Sequence, residues 1–136
     1  MQLEDAGLEE IQDYFARDRF ATGACGATII SAASGHAVCK MTLNESHLNA
    51  LDNVMGGVIF TLADFALAVA SNVGQPPTVS VSNTIEYMNT ARGCTLIAEC
   101  TADKSGRTVG YYCVVVKDEL ETLVAKMVAT CVRQAL

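Results

Sequence analysis

The chain has 136 residues, 51% of them hydrophobic, and a formal net charge of −6. That length suits a single domain, 1–136, with a core of its own, and the composition excludes a disordered chain. The acidic balance argues against general nucleic-acid binding, which needs a basic surface. Leu8 to Phe20 reads as an amphipathic helix: Leu8, Ile11 and Phe15 lie at helical spacing, with Glu9, Glu10, Asp13 and Arg17 on the other face. Ala27 to Ala33 is a first strand, and Ser34-Gly35 is a turn. Ala37, Cys39, Met41 and Leu43 then share one face of a second strand. The polar stretch Asn44 to Asn53 leads into a long apolar helix over 55–72, which Gly74 through Pro77 end. Thr78 to Met88 reads as a strand with Val79, Val81, Ile85 and Tyr87 on one face and Ser80, Ser82, Thr84 and Glu86 on the other. Cys94 to Asp103 alternates as a half-buried strand, and Lys104-Ser105-Gly106-Arg107 reads as a hairpin turn. Thr108 to Val116 is apolar on both faces and so central, and Leu123, Ala125, Met127, Ala129 and Cys131 mark the inward face of a last strand.

Strands gathered around one apolar helix predict an α+β domain, an antiparallel sheet of five to six strands wrapped on that helix. One sheet cannot cover the helix on every side, so a homo-oligomer is expected, with the symmetric dimer as the first choice and a dimer of dimers beyond it. The six cysteines, at 25, 39, 94, 100, 113 and 131, show no C-x-x-C spacing, and His36 and His47 are not placed as their partners. Small buried reduced thiols are the reading, with no zinc site. The acidic start MQLEDAGLEE is unlike a secretory leader, so a cytoplasmic location is expected. Val54 to Val73 is long enough to span a bilayer, but Asp64 at its centre and its glycines and alanines weigh against that.

Asp64 is also the residue that gives this stretch a function. A lone carboxylate in an apolar helix is costly to bury unless something pairs with it, and such conflicts mark functional sites. The run from His47 to Asp64, HLNALDNVMGGVIFTLAD, resembles the hotdog-fold acyl-CoA thioesterases, and among them the phenylacetate-degradation type. Asn49, Gly56, Gly57 and Asp64 match that family's Asn, Gly-Gly and helical Asp in type and spacing. The later VSVSNTIEYMNTA and KSGRT resemble its third strand and its Gly-Arg turn, and the likeness runs from about residue 24 to 133. Where the family usually has a histidine before the glycines, this chain has Met55, which cannot donate a hydrogen bond to a carbonyl.

The resemblance implies hydrolysis of a small or medium acyl-CoA, or an aryl-CoA, with no cofactor beyond the coenzyme A of the substrate. A backbone N–H at a helix N-terminus is unsatisfied and partly positive, so that of Gly56 or Gly57 could polarise the thioester carbonyl, and the absent Cβ lets substrate approach closely; the resemblance implies Gly56, which matches the family's donor. Asp64 would be general base or nucleophile. It lies about two turns, roughly 11 Å, along the helix, too far to serve the same carbonyl within one chain. The family implies a site shared across a dimer, Asn49 and Gly56 from one subunit and Asp64 from the other. Asn49 would hold the attacking water or the carboxylate, and Ser80 matches a position that orients the nucleophile or water. Met55 lies beside the substrate, and Arg92, Lys104 and Arg107 would meet the coenzyme A phosphates. Met55 also motivates an alternative, a hotdog protein that binds acyl-CoA without turnover.

Overall fold

A computed structural model describes residues 3–134; the ends of the expected domain, 1–2 and 135–136, lie outside the described residues. Helix α1 (Leu8–Phe15) and a single π-helical turn (Phe20–Ala24) lead into β1 (Ala27–Ala33) and β2 (His36–Thr42). A 3₁₀ turn (Glu45–His47) precedes the long helix α2 (Gly56–Asn72), and β3 (Thr78–Tyr87), β4 (Thr95–Ser105), β5 (Val109–Asp118) and β6 (Leu123–Arg133) follow. The six strands form one sheet in the order β1-β2-β4-β5-β6-β3, each neighbouring pair antiparallel. The sheet curls around α2, which touches all six strands, and this is the hotdog arrangement.

The core follows from the alternation. Ala37, Cys39 and Met41 of β2, Leu96, Ala98 and Cys100 of β4, and Tyr112, Val114 and Val116 of β5 are buried against α2. Helix α2 answers with Val58, Ile59, Leu62, Ala63, Phe65, Ala66, Leu67, Val69 and Ala70. Alanine at every second or third position lets helix and sheet approach closely. One stripe stays open: Gly57, Thr61, Asp64 and Ala68, spaced at i, i+4, i+7 and i+11, are exposed or half-buried. That is the uncovered flank expected of a helix wrapped by a single sheet.

Gly74 stops the helix at φ +71°, a left-handed conformation that glycine adopts without strain. Arg133 fastens the same end. Its guanidinium donates to the Ser71 carbonyl at 2.9 Å, Thr78 Oγ1 at 3.0 Å and Tyr112 OH at 3.0 Å. No helix among the described residues is long and apolar enough to cross a membrane.

Three expectations change. Helix α1 ends at Phe15 rather than Phe20. Its inward face is Ile11 and Phe15, the latter edge-on to Phe65 at 6.2 Å. Beyond it Arg17, Asp18 and Arg19 offer nothing to bury, and Phe20 stands 67% exposed. Lys104 and Ser105 belong to β4, because a bulge between Ala102 and Lys104 lengthens the strand and the turn comes after it. In β3 a second bulge, between Ser80 and Ser82, breaks the two-residue period. Ser80 lies opposite buried Cys131 and Asn83 opposite buried Ala129, whereas Ser82 lies opposite Thr130. Ser80, Asn83 and Ile85 therefore share the helix-facing side, while Val79 and Val81 face out.

Candidate active site

The site is assembled around the two ends of the stretch that opens α2. Before the helix, residues 48–54 form a small pinched loop: Leu48 and Val54 bridge, Asn49 N–H donates to Asn53 O at 2.8 Å, and Met55 N–H to His47 O at 2.9 Å. Asn49 Oδ1 accepts from the amides of Leu51 (2.9 Å) and Asn53 (3.2 Å). Its acceptor is thus spent on the loop, and its Nδ2 donor is left to give outward.

His47 anchors this loop. The ring is 2% exposed, Nδ1 accepts from Asn44 N–H at 3.1 Å, and Nε2 faces the Cys25 carbonyl at 3.1 Å. Because Nδ1 accepts and the carbonyl can only accept, the proton sits on Nε2 and the ring is neutral. Both nitrogens are occupied, so His47 does not stand in for the histidine that Met55 replaces.

At the helix start, Met55 O accepts from Val58 N–H and Ile59 N–H. The amides of Gly56 and Gly57 donate to no group among the described residues, as expected of first-turn N–H groups. Tyr87, at the end of β3, lies over Gly56: its hydroxyl donates to the Gly56 carbonyl at 3.0 Å, and a Cβ on Gly56 would sit 3.2 Å from Tyr87 Cζ. Gly56, Asn53, Val54, Ile59 and Tyr87, with the loop Met88–Ala91, line a cavity of about 400 Å³. Asn49 and Gly57 are outside that lining, although both are exposed close to it in sequence.

Asp64 opens into a different cavity, of about 490 Å³, lined by Phe20, Phe60, Thr61 and Phe65 with Arg17, Asp18 and Arg19. Its carboxylate has no hydrogen bond or ion pair among the described residues. Burial pushes its pKa up, and the nearby charge of Asp18 adds to that. A structural carboxylate is usually tied to backbone or to a cation; this one is tied to neither among the described residues, which makes it the candidate base. Within one chain, then, the candidate carbonyl donor and the candidate base face separate cavities.

The comparisons decide the family. The model of the Thioesterase superfamily matches residues 51–125, which include the loop end, all of α2, strands β3, β4 and β5 and the start of β6. The chain belongs to the Thioesterase superfamily. A putative esterase of Archaeoglobus fulgidus is 32% identical over 93% of this chain and 82% of its own length. Acyl-coenzyme A thioesterase PaaI of Escherichia coli is 33% identical over 75% of this chain and 74% of its own. The solved structure of that protein superposes with a TM-score of 0.83 at 27% identity, covering 95% of this chain and 97% of the other. The smu.793 protein of Streptococcus mutans, solved bound to acetyl CoA, gives a TM-score of 0.74 at 26% identity over 79% of this chain and 87% of the other. The chain is therefore a hotdog-fold thioesterase, an enzyme of thioester hydrolysis, and its family is the one its glycine-led helix resembles.

For a thioesterase, the remaining residues fall as follows. Met55 is 52% exposed and its Cε lies 2.8 Å from where a Gly57 Cβ would be, so its side chain covers Gly57. Arg92 is exposed next to Ala91, a wall of the Gly56 cavity. Its loop is held by Asp118, itself 1% exposed, whose Oδ2 accepts from Arg92 N–H (2.8 Å) and Gly93 N–H (3.0 Å). Asp118 Oδ1 accepts from Leu120 N–H (3.0 Å) and Thr122 N–H (2.9 Å). Burial pushes this carboxyl up, but the amide donors outweigh that and hold it well below the usual carboxylate range. Lys104 and Arg107 are exposed at and just beyond the far end of β4, a strand about 30 Å long at 3.3 Å per residue, whereas Arg92 precedes its start. One chain therefore does not gather the three cations at one phosphate site.

Sequence reading missed Tyr87, Asp18, Phe20 and Asn83. Tyr87 and Asn83 were hidden because the bulge breaks the two-residue period and puts them on the same side as Ser80. Asp18 and Phe20 lie in a segment whose helical pattern ends early, and no local signal ties it to Asp64.

Proposed function

We propose that this thioesterase hydrolyses the thioester of a small or medium acyl-CoA, or of an aryl-CoA, to the free acid and coenzyme A, at a site shared by two copies of the chain. The observation that carries this reading is the unpaired Asp64 carboxylate, raised by burial and opening into a cavity that the Gly56 amide does not reach. A two-fold that runs the two α2 helices antiparallel would bring the N-terminus of one level with Asp64 of the other. The open stripe of α2 and the free edge of β3 favour such a partner.

In this reading the Gly56 N–H, with the free Asn49 Nδ2, holds the developing oxyanion. Asp64 takes a proton from water as its oxygen attacks the carbonyl carbon. Collapse breaks the C–S bond, and the proton passes to the departing thiolate. Direct attack by the carboxylate, forming an anhydride that water then opens, uses the same geometry. Ser80, on the helix-facing side, would orient the carboxylate or the water. Gly57 and Met55 flank the thioester. Arg92 of one copy, with Lys104 and Arg107 of the other, would meet the phosphates of coenzyme A. The phenyl rings of Phe20, Phe60 and Phe65 beside Asp64 suit an apolar acyl group. No cofactor is needed.

The test is release of free thiol from a panel of acyl-CoAs and aryl-CoAs, with Asp64→Asn alongside and with mass in solution measured by light scattering. Turnover that Asp64→Asn abolishes, in a dimer or larger assembly, is expected. Met55 favours a second reading, a binder without turnover, because it removes a side-chain donor at the carbonyl. Calorimetric binding of acyl-CoA without thiol release, and turnover gained in Met55→His, would establish that reading instead.

A further inference from the structure

Two cavities lie along the open stripe of α2, and one short segment walls both. Arg17, Asp18 and Arg19 line the cavity of about 490 Å³ into which Asp64 opens. They also line a second, of about 360 Å³, whose helix wall is Ala68 and Asn72. At 1.5 Å per residue, Ala68 lies about 6 Å beyond Asp64 along the helix axis and Asn72 about 12 Å. The floors meet as well: Phe65 of the first cavity and Phe15 of the second are edge-on, with ring centroids 6.2 Å apart. The stripe residue that follows Asp64 is Ala68, whose single methyl group is the least obstruction a side chain can offer.

The two guanidiniums need a reason. Phe60 and Phe65 give the cavity beside Asp64 an apolar floor, and a purely apolar acyl group would call for no cation next to it. Arg17 and Arg19 are exposed at the rim, and they are two of nine Lys and Arg residues in a chain of net charge −6. The ion pairs among the described residues are His36–Glu99 and Lys117–Glu121, so neither arginine has a carboxylate partner. Asp18 stands between them in sequence and pairs with neither. Arg17 instead lies over the Tyr14 ring, 5.6 Å from its centroid, a cation–π contact that fixes where its charge sits. Without this pair of cations, Asp64 and Asp18 would make the cavity wholly acidic and repel any anionic acyl group.

We propose that Arg17 and Arg19 bind a carboxylate at the far end of the acyl group, so that the preferred substrates are the mono-CoA thioesters of short dicarboxylic acids. The inference rests on the reading of Asp64 as base or nucleophile at the thioester, and it names the acyl class that site takes. An extended chain advances about 3.5 Å over three bonds, so the rise of about 6 Å from Asp64 to Ala68 corresponds to about five bonds. That is the span from the thioester carbon to the distal carboxyl carbon of an adipyl group, and one bond more than in a glutaryl group. Phe20, Phe60 and Phe65 would cover the methylenes, and a guanidinium fork matches the two oxygens of the second carboxylate.

The experiment pairs acyl-CoAs of equal length with and without the second carboxylate: adipyl-CoA against hexanoyl-CoA, and glutaryl-CoA against pentanoyl-CoA. Thiol release gives kcat and KM for the wild type, Arg17→Gln, Arg19→Gln, the double variant Arg17→Gln/Arg19→Gln, the double variant Arg17→Lys/Arg19→Lys, and Asp64→Asn. Calorimetry on Asp64→Asn gives affinities for the same pairs without turnover. The wild type is expected to favour the dicarboxylic member of each pair about tenfold or more in kcat/KM, mostly through KM. The double glutamine variant should lose that preference, the double lysine variant should keep part of it, and about 0.5 M KCl should weaken it. The ratio within a pair is its own control for folding, since a damaged fold lowers both members. A wild type without the preference, equal affinities in calorimetry, or a double glutamine variant that loses both members of a pair alike would overturn the proposal while Asp64→Asn stays inactive. Wild-type turnover in Asp64→Asn would overturn the reading of the site itself.

Discussion

Replacing Asp64 by asparagine keeps the side chain's shape and removes its charge and basicity, and two opposite effects should follow. A positioned general base contributes about 10²- to 10⁴-fold in rate, so kcat should fall by that factor with KM little changed. At 1.36 kcal/mol per decade this is about 3–5 kcal/mol of transition-state stabilisation. Stability should move the other way. Burial and Asp18 raise the folded-state pKa of Asp64, so the native chain holds this proton to higher pH than the unfolded chain does. Below the ordinary carboxylate range both states are protonated, and the group favours folding most there. As pH rises the unfolded chain ionises first, and that advantage is lost through the raised folded pKa. At pH 7 the ionised carboxylate is a net cost, which asparagine removes. Tm of Asp64→Asn should exceed that of the wild type at pH 7, and the gap should close near pH 3. The assays are thiol release under saturating substrate and thermal unfolding across pH 3 to 8. Turnover within threefold of wild type, or a lower Tm at pH 7, would refute the reasoning, because a structural carboxylate predicts both.

Asp18→Asn should shift the acid limb of the kcat/KM profile to lower pH, since one of the two causes that raise Asp64 is removed; a pH–rate series checks it. Tyr87→Phe loses the 3.0 Å bond to the Gly56 carbonyl, a contribution of about 1 kcal/mol, and should cost several-fold in kcat/KM with the fold intact by circular dichroism. Asp118→Asn leaves two of its four backbone donors facing an NH₂ group and should lower the unfolding free energy by about 3 kcal/mol in urea titration at pH 7. Because the folded pKa of Asp118 is depressed, its contribution is present above the ordinary carboxylate range and lost as pH falls below it, so the gap should shrink in acid.

The architecture was legible because burial and period coincide along most of the chain. Cys39 and Met41, Leu96 and Ala98, Val114 and Val116 each alternate inward and are each fully buried. Helix α2 was legible for the opposite reason: no polar face interrupts it, so Asp64 stands out as the one side chain that burial does not explain. The glycine pair at its start marked the end where amides are free. The cations were legible only as types. Arg92 lies at one end of β4 and Lys104 and Arg107 at the other, and nothing local in sequence distinguishes three cations at one phosphate from three at two corners.

What stayed hidden lies where the period fails. A bulge adds one residue and reverses every assignment beyond it, and propensity does not announce it, since Val79, Val81, Ile85 and Tyr87 suit either face equally well. In β3 that single insertion separates Ser80 from Ser82, turns Asn83 inward and sets Tyr87 over Gly56. A regular strand would leave Ser80 Oγ without its hydrogen bond from Asn83 Nδ2 and the helix N-terminus without its tyrosine. In the proposed site the irregularity is therefore part of the construction. A polar residue such as Asn83 in the middle of a strand is the one sign of it that the sequence carries, for the same reason that a carboxylate in the middle of α2 was the sign of Asp64.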